Sequence, residues 1–213
     1  MSGLTVDHEG RVFAINKKGM PRARSGFSVP LPSTSKILIM VNGFDYDPTE
    51  SGDDNPHKTL FKEWESKFRE QVSNEWECFG FGWYSAELEP SSWLGGLIRT
   101  HWNPYRWGWE LAGRAAGILA QTIQSRLNTS NDEICIIAHS LGARVTLSAL
   151  AQLPRDSVRR VLLLNGSEYS QSSKVVATYT DSTVLNVIVK ADDVLNVGNT
   201  GYVRSMYQMI CPV

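Results

Sequence analysis

Hydrophobic positions along this chain follow two patterns, short continuous apolar runs and longer stripes with helical spacing. The apolar runs lie at residues 36–41, 78–84, 134–138, 158–164 and 184–189. Continuous runs of this length are typical of strands that are buried on both faces of a parallel sheet. Because helical stripes separate several of these runs, the pattern predicts an α/β fold: a doubly wound, mostly parallel sheet flanked by helices.

Three helices are predicted from the stripes and from the residues at their ends. The first covers residues 60–72, with Thr59 as its N-cap. The second begins at Asn103-Pro104, a cap residue followed by a first-turn proline, and carries a long apolar stripe. The third follows the apolar run at residues 134–138 and ends before Pro154.

Length and charge indicate one ordinary globular domain. We assign residues 1–213 to it, with a hairpin and loop over residues 1–35 and an aromatic cap insert over residues 86–104. A net charge of −1 provides no general attraction to nucleic acid. No apolar run reaches the ~20 residues that a transmembrane helix needs. Cys78 and Cys135 lie inside apolar runs, which indicates free thiols and a cytoplasmic protein.

The strongest chemical signal is the segment Ile136-Ile-Ala-His-Ser-Leu-Gly-Ala-Arg144. An apolar strand ends there, Ser140 occupies a one-residue corner, and a helix begins at once. Such a strained turn lifts the serine hydroxyl above the sheet edge, where a base can reach it. The N–H of Leu141 then lies at a helix N-terminus, directed to where negative charge develops on an acyl oxygen. A serine that only caps the helix is the alternative interpretation.

With this turn in place, the sequence resembles the α/β-hydrolase superfamily, in particular lipase- and esterase-like members with an Ala-His-Ser-Leu-Gly nucleophile elbow. The resemblance runs from about Lys36 to Leu195. The usual elbow is Gly-x-Ser-x-Gly, and Ala138 replaces its first glycine with another small residue. The resemblance implies that the loop Val41-Asn-Gly-Phe44 supplies a second oxyanion-hole donor, the N–H of Phe44. Gly82-Trp-Tyr-Ser85 stands where relatives often carry a Trp-x-Ser strand end.

The resemblance also implies a catalytic acid after a late strand. An Asp-x-Val-Leu pattern in that position selects Asp192 over its neighbour Asp193. The carboxylate is needed to orient a histidine and to stabilise its protonated form. Glu168 follows the fourth apolar run and remains an alternative acid, because some lipases place theirs there.

The histidine base is the part of the machinery that the sequence does not supply. The superfamily order is serine, acid, histidine, and no histidine follows His139. His139 is expected to pack beneath the sheet edge, His8 lies in the N-terminal hairpin, and His101 lies among the tryptophans. His57, after an acidic loop, is a weak internal candidate. We therefore expect either a fragment that lacks its base, final strand and final helix, or a scaffold that has lost its base.

Candidate substrate contacts come from the aromatic insert, in which Trp93 and Trp102 are predicted to form an apolar wall over the site. No metal is expected, because the acidic loop at residues 45–54 lacks calcium-loop spacing. Such a hydrolase needs no cofactor. The resulting hypothesis is a serine-dependent acyl hydrolase for an apolar small-molecule acyl ester, with the acyl-chain length left open. The alternative is a non-catalytic binding module on the same fold.

Overall fold

A single sheet organises the protein, as seen in a computed structural model that describes residues 2–15, 21–22, 31–32, 34–72, 75–86, 104–127, 133–168 and 170–187. Within these residues the sheet has eight strands. The strands are β1 (Ser2–Val6), β2 (Val12–Ile15), β3 (Pro21–Arg22), β4 (Lys36–Val41), β5 (Trp76–Trp83), β6 (Glu133–His139), β7 (Arg160–Leu164) and β8 (Thr183–Val187). The helices are α1 (Leu60–Gln71), α2 (Pro104–Leu127), α3 (Gly142–Leu150) and α4 (Ser170–Tyr179).

The strand order is β3-β2-β1-β5-β4-β6-β7-β8. In this spatial order, the five neighbouring pairs between β1 and β8 are parallel, and the β1–β2 and β2–β3 pairs are antiparallel. The predicted α/β class with a mostly parallel sheet is therefore confirmed. The N-terminal hairpin turns at Gly10, which has a φ of 83°. Its first strand joins the main sheet directly beside β5.

At β4 and β5 both faces of the sheet are apolar, and different helices cover them. On one face, Phe79 and Phe81 of β5 pack with buried residues of α2 and α3 in the larger core. On the other face, Leu38, Met40 and Cys78 pack against Phe61 of α1. Strands β4 and β5 are buried on both faces, so their sequences are continuously apolar instead of alternating between apolar and polar residues. At the β8 edge one face is open, and Leu185 and Val187 are exposed.

Two features differ from the sequence prediction. Thr59 occupies the predicted N-cap position, but its side chain makes no capping bond and instead donates to the carbonyls of Asp53 and Asn55 at 3.2 and 3.1 Å. The turn before α1 already supplies acceptors, since Phe61 N–H bonds to the Pro56 carbonyl at 2.9 Å. In addition, helix α4 joins β7 to β8, where no helix was predicted.

No helix in the described part of the chain is both long and apolar enough to cross a membrane. Across the same residues, no group of three or more His, Cys, Asp and Glu side chains comes together as a potential metal site.

Candidate active site

The candidate site lies where the strand order reverses. Strand β4 is flanked by β5 on one side and by β6 on the other. In open parallel sheets, ligands bind outside the carboxyl ends of the strands at such a switch point. The loops that leave β4, β5 and β6 meet there, and they begin at Asn42, Tyr84 and Ser140.

Ser140 occupies a strained turn between β6 and α3. Its φ is 48°, in the left-handed region that non-glycine residues seldom adopt. Its N–H donates to the Leu164 carbonyl at 2.9 Å, and its own carbonyl accepts the Ser167 N–H at 2.9 Å. These bonds tie the turn to β7 and hold the strain in place. Ser140 itself is 9% exposed.

The turn is possible because two glycines let neighbouring backbone segments come close together. A Cβ on Gly142 would overlap the Asn42 carbonyl oxygen and lie 3.0 Å from that of Val41. A Cβ on Gly43 would lie 3.0 Å from the Ser140 Cβ and 2.8 Å from His139 Nδ1. The loop after β4 therefore runs directly against the serine turn.

The two predicted oxyanion-hole residues lie next to each other. A Cβ placed on Gly108 of α2 would be 2.9 Å from the Phe44 ring and 3.2 Å from the Leu141 side chain. Both side chains therefore pack on the same turn of α2. Leu141 directly precedes α3, and the first N–H groups of a helix have no intrahelical acceptor. The structure thus brings Phe44, Leu141 and Ser140 together at the switch point.

Glu168, the alternative acid, is buried and forms an ion pair. Arg144 Nη1 lies 3.1 and 3.3 Å from the two carboxylate oxygens, and the Glu168 side chain is only 2% exposed. The same guanidinium donates to the Trp109 carbonyl and stacks 3.9 Å from the centre of that indole ring. Asp192 and Asp193 lie outside the described residues, so Asp192 remains a prediction.

His57 is buried on the α1 face of the sheet, where it packs against Gly80, Gly82 and Phe61. Its Nε2 is 3.1 Å from the Thr5 hydroxyl of β1. Burial disfavours the charged ring and lowers the His57 pKa to about 3. The surroundings of His57 are those of a neutral structural side chain.

The other histidines have different surroundings. His139 belongs to the face of β6 that also presents Ile137, because side chains alternate along a strand, and its ring lies against Gly43. His8 lies at the hairpin, 3.8 Å from Glu9 and in edge contact with the Tyr84 ring. His101 lies outside the described residues. Among the described histidines, none has contacts that assign it as the base for Ser140.

Several side chains at this edge were not singled out from the sequence. In the sequence, Arg144 only ends the elbow segment, and Asn42 and Ser85 are only parts of the motifs at residues 41–44 and 82–85. Trp-x-Ser at residues 83–85 was the one available signal. The predicted wall residues Trp93 and Trp102 lie outside the described residues, as does most of the insert at 86–104.

Comparison with known proteins gives a match to one family model in sequence and similarity to ten solved chains in structure. Residues 115–188 match the family model described as serine hydrolase. This segment contains the Ser140 turn, and it confirms the predicted resemblance to serine hydrolases. Among curated proteins, no sequence matches the chain.

Two of the similar structures are a cutinase and a cutinase-like protein. One is a Trichoderma reesei cutinase in complex with a C11Y4 phosphonate inhibitor, with 14% identity, a TM-score of 0.42, and coverage of 79% of this chain and 67% of that one. The other is a novel cutinase-like protein from Cryptococcus sp., with 13% identity, a TM-score of 0.42, and coverage of 77% and 80%. At these scores the fold assignment depends on the chain's own strand order and register.

Proposed function

We propose that this chain is a serine-dependent acyl hydrolase that cleaves carboxylic esters, with Ser140 as the nucleophile. The observation that carries the proposal is the Ser140 turn: a non-glycine residue at φ 48° between β6 and α3. A serine that merely capped α3 would not need left-handed backbone, which is strained for a residue with a Cβ. The match of residues 115–188 to serine hydrolases supports the same function.

In the proposed reaction, Ser140 Oγ bonds to the ester carbonyl carbon while its proton passes to a base. The negative oxygen of the tetrahedral intermediate accepts hydrogen bonds from the N–H groups of Leu141 and Phe44. The bond to the alcohol oxygen then breaks, and the alcohol leaves with the proton. Water attacks the acyl-enzyme in the same way and releases the carboxylic acid. We propose Asp192 as the carboxylate that orients the base.

The substrate we propose is an apolar small-molecule acyl ester, with Trp93 and Trp102 forming part of the acyl-binding wall. If so, Trp93→Ala and Trp102→Ala should lower kcat/KM for long-chain esters more than for acetyl esters. A series of p-nitrophenyl esters of increasing chain length measures this. Equal losses along the series would contradict the assignment. The free thiols of Cys78 and Cys135 support the cytoplasm as the proposed compartment.

A non-catalytic binding module is the second candidate, and the buried position of His57 favours it. That side chain is fixed to Thr5 on the α1 face of the sheet. It is therefore not available to Ser140 as the base that was considered from the sequence.

Labelling with a fluorophosphonate probe separates the two candidates, because an activated serine displaces the fluoride and becomes covalently attached. We expect the wild-type protein to be labelled and Ser140→Ala to be inert. Ser157→Ala is the matched control: Ser157 is buried, remote from the site, and donates to a backbone carbonyl. Full-length wild-type protein that takes up no probe, or equal labelling of Ser140→Ala, would refute the hydrolase and favour the binding module.

A further inference from the structure

The carbonyl oxygen of Gly43 is held by two side chains. The Ser85 hydroxyl donates to it at 2.7 Å, and the Asn42 amide group donates to it at 3.1 Å. Gly43 and Phe44 share one peptide group, so these two bonds also fix the direction of the Phe44 N–H. No cis peptide bond occurs among the described residues, and in a trans peptide the carbonyl and the N–H point in opposite directions.

Both side chains are themselves fixed. Ser85 is fully buried, and its oxygen also accepts the Tyr46 N–H at 3.0 Å. Asn42 is fully buried as well, and its amide exchanges two hydrogen bonds with the backbone of Trp83, at 2.9 and 3.0 Å. The Trp83 indole donates to the Asn42 carbonyl at 2.7 Å. The loop after β4 is therefore bonded to the end of β5 by side chains that extend the strand pairing.

The geometry of the sheet gives this arrangement a direction. Strand β4 lies between β5 and β6. Ser85 follows β5, so the Gly43 carbonyl is turned toward the β5 side. Ser140 follows β6, and Gly43 lies directly against it. The Phe44 N–H, opposite to the carbonyl, is consequently directed toward the side of Ser140.

Because residue 43 is a glycine, the orientation of the Gly43–Phe44 peptide has to be fixed by other groups. Glycine is required there because a side chain would collide with His139 and Ser140. Glycine, however, permits backbone conformations that other residues avoid. A rotation of the Gly43–Phe44 peptide would direct a carbonyl oxygen at the developing oxyanion and repel it. A bond that holds the carbonyl on the β5 side prevents this rotation.

We propose that Ser85, assisted by Asn42, is a positioning residue that locks the Gly43–Phe44 peptide so that the Phe44 N–H stabilises the oxyanion. This inference rests on the proposed function of Ser140. It adds a residue that takes no part in the chemical steps but on which stabilisation of the transition state depends. Ser85 does not touch the substrate. Its effect is to keep a donor in place before the substrate arrives, which is the main source of electrostatic catalysis.

The kinetic test compares Ser85→Ala with Ser157→Ala, which loses a matching bond of 2.7 Å to a backbone carbonyl far from the site. We expect Ser85→Ala to lower kcat by roughly 10- to 100-fold with little change in KM, because a displaced donor acts on the transition state. Binding of an alkyl trifluoromethyl ketone, which forms a tetrahedral oxyanion on the serine, should weaken by the same factor. Ser157→Ala should change neither. Ser85→Cys keeps a weaker donor and should fall between wild type and alanine.

A measurement without turnover separates this inference from the proposed function. The amide resonance of Phe44 in an ¹H–¹⁵N spectrum reports the environment of that N–H whether or not the protein is an enzyme. We expect it to shift or broaden in Ser85→Ala and to stay in place in Ser157→Ala. An unchanged Phe44 resonance, or equal losses of kcat in the two variants, would overturn the positioning role. Failure of fluorophosphonate to label the wild type would instead overturn the assignment of Ser140.

Discussion

At the scale of single residues, the serine turn depends on the absence of a side chain at Gly142. A Cβ there would meet the backbone of Asn42 and Val41, which cannot move without shifting β4. We expect Gly142→Ala to lower the free energy of unfolding by about 1–3 kcal/mol, the usual cost of overpacking. Urea denaturation measures the change.

Gly113→Ala is the matched control for that substitution. Gly113 lies in α2 with nothing within 4 Å of its Cβ position. Because glycine in the middle of a helix is unfavourable, alanine should raise the free energy of unfolding by about 0.5–1 kcal/mol. The two glycine-to-alanine changes should therefore have opposite signs. The same sign for both would show that the close approach at Gly142 is relieved by movement of the loop.

His57 should make the stability of the protein depend on pH. Its pKa is lowered to about 3 in the folded state, against about 6.5 when unfolded, so between these values the unfolded chain binds the extra proton. Its contribution to stability is therefore fully present above about pH 6.5 and is lost as the pH falls toward 3. The slope reaches at most about 1.4 kcal/mol per pH unit.

Urea denaturation at a series of pH values tests this, with His57→Gln as the variant. Glutamine does not titrate, so the variant should lose stability less steeply between pH 6.5 and pH 3 than the wild type. His8→Gln is the control, because the His8 side chain is 44% exposed. Parallel stability curves for wild type and His57→Gln would contradict the assignment of the slope to His57.

Site residues that could be predicted from the sequence are defined by neighbours in the chain, whereas those that could not be predicted are defined by contacts with distant residues. The Ser140 turn is encoded by adjacent residues, since the strand, the turn and the helix follow one another within the segment 136–144. The burial of His57 is not local, because it depends on Thr5, 52 positions away in the chain. The same holds for Ser85, whose partner Gly43 is 42 positions away. Only the folded sheet brings these pairs together.

At the scale of elements, the strands were the easiest to predict. Strands β4 and β5 each lie within or close to a continuous apolar run, because their residues are buried on both faces. Strand β6 also lies in such a run, although its residues alternate between buried and half-buried. Helix α4 was missed for the opposite reason. It packs only part of its surface against the core, and Val175 and Tyr179 are 50% and 66% exposed. A stripe so weak does not stand out from a serine-rich loop.

An ion pair between Arg144 and Glu168 links α3 to the loop after β7. Removing one partner leaves a charge in a largely buried position without its counter-ion. We expect Glu168→Gln and Arg144→Met each to lower the free energy of unfolding by about 3–5 kcal/mol. The double variant should lose less than the sum of the two, because neither charge is then left alone. Urea denaturation of the four proteins gives this coupling energy directly.

The exposed pair Arg155 and Asp181 serves as the comparison, because its nitrogen and oxygen are 3.2 Å apart while both side chains are more than 60% exposed. Breaking that pair should cost about 1 kcal/mol or less. Equal coupling energies for the two pairs would mean that burial of Glu168 contributes nothing to the attachment of α3.

At the scale of the whole molecule, the larger core is continuous across the sheet. It includes Leu4 of β1 near one edge and Val184 of β8 at the other, with α2 and α3 packed between them. The sequence predicted the class of this sheet but not the order of its strands. In particular, nothing near Ser2–Val6 in the chain indicates that β1 pairs with β5, 77 positions later, rather than ending in a peripheral hairpin.

A core that spans the sheet predicts that the described strands unfold together. Leu4 is fully buried, so Leu4→Ala should cost about 2–5 kcal/mol, and Val184→Ala, which removes fewer atoms, should cost less. Each variant should shift the urea midpoint equally when followed by far-UV circular dichroism and by tryptophan fluorescence, to which the buried Trp83 of β5 contributes. Coincident transitions are the mark of one cooperative unit. If Leu4→Ala separated the two midpoints while Val184→Ala did not, the N-terminal hairpin would be a unit that unfolds on its own. In that case the hydrogen bond from Thr5 of β1 to His57 would break before the one from Trp83 of β5 to Asn42, although β1 and β5 are neighbouring parallel strands.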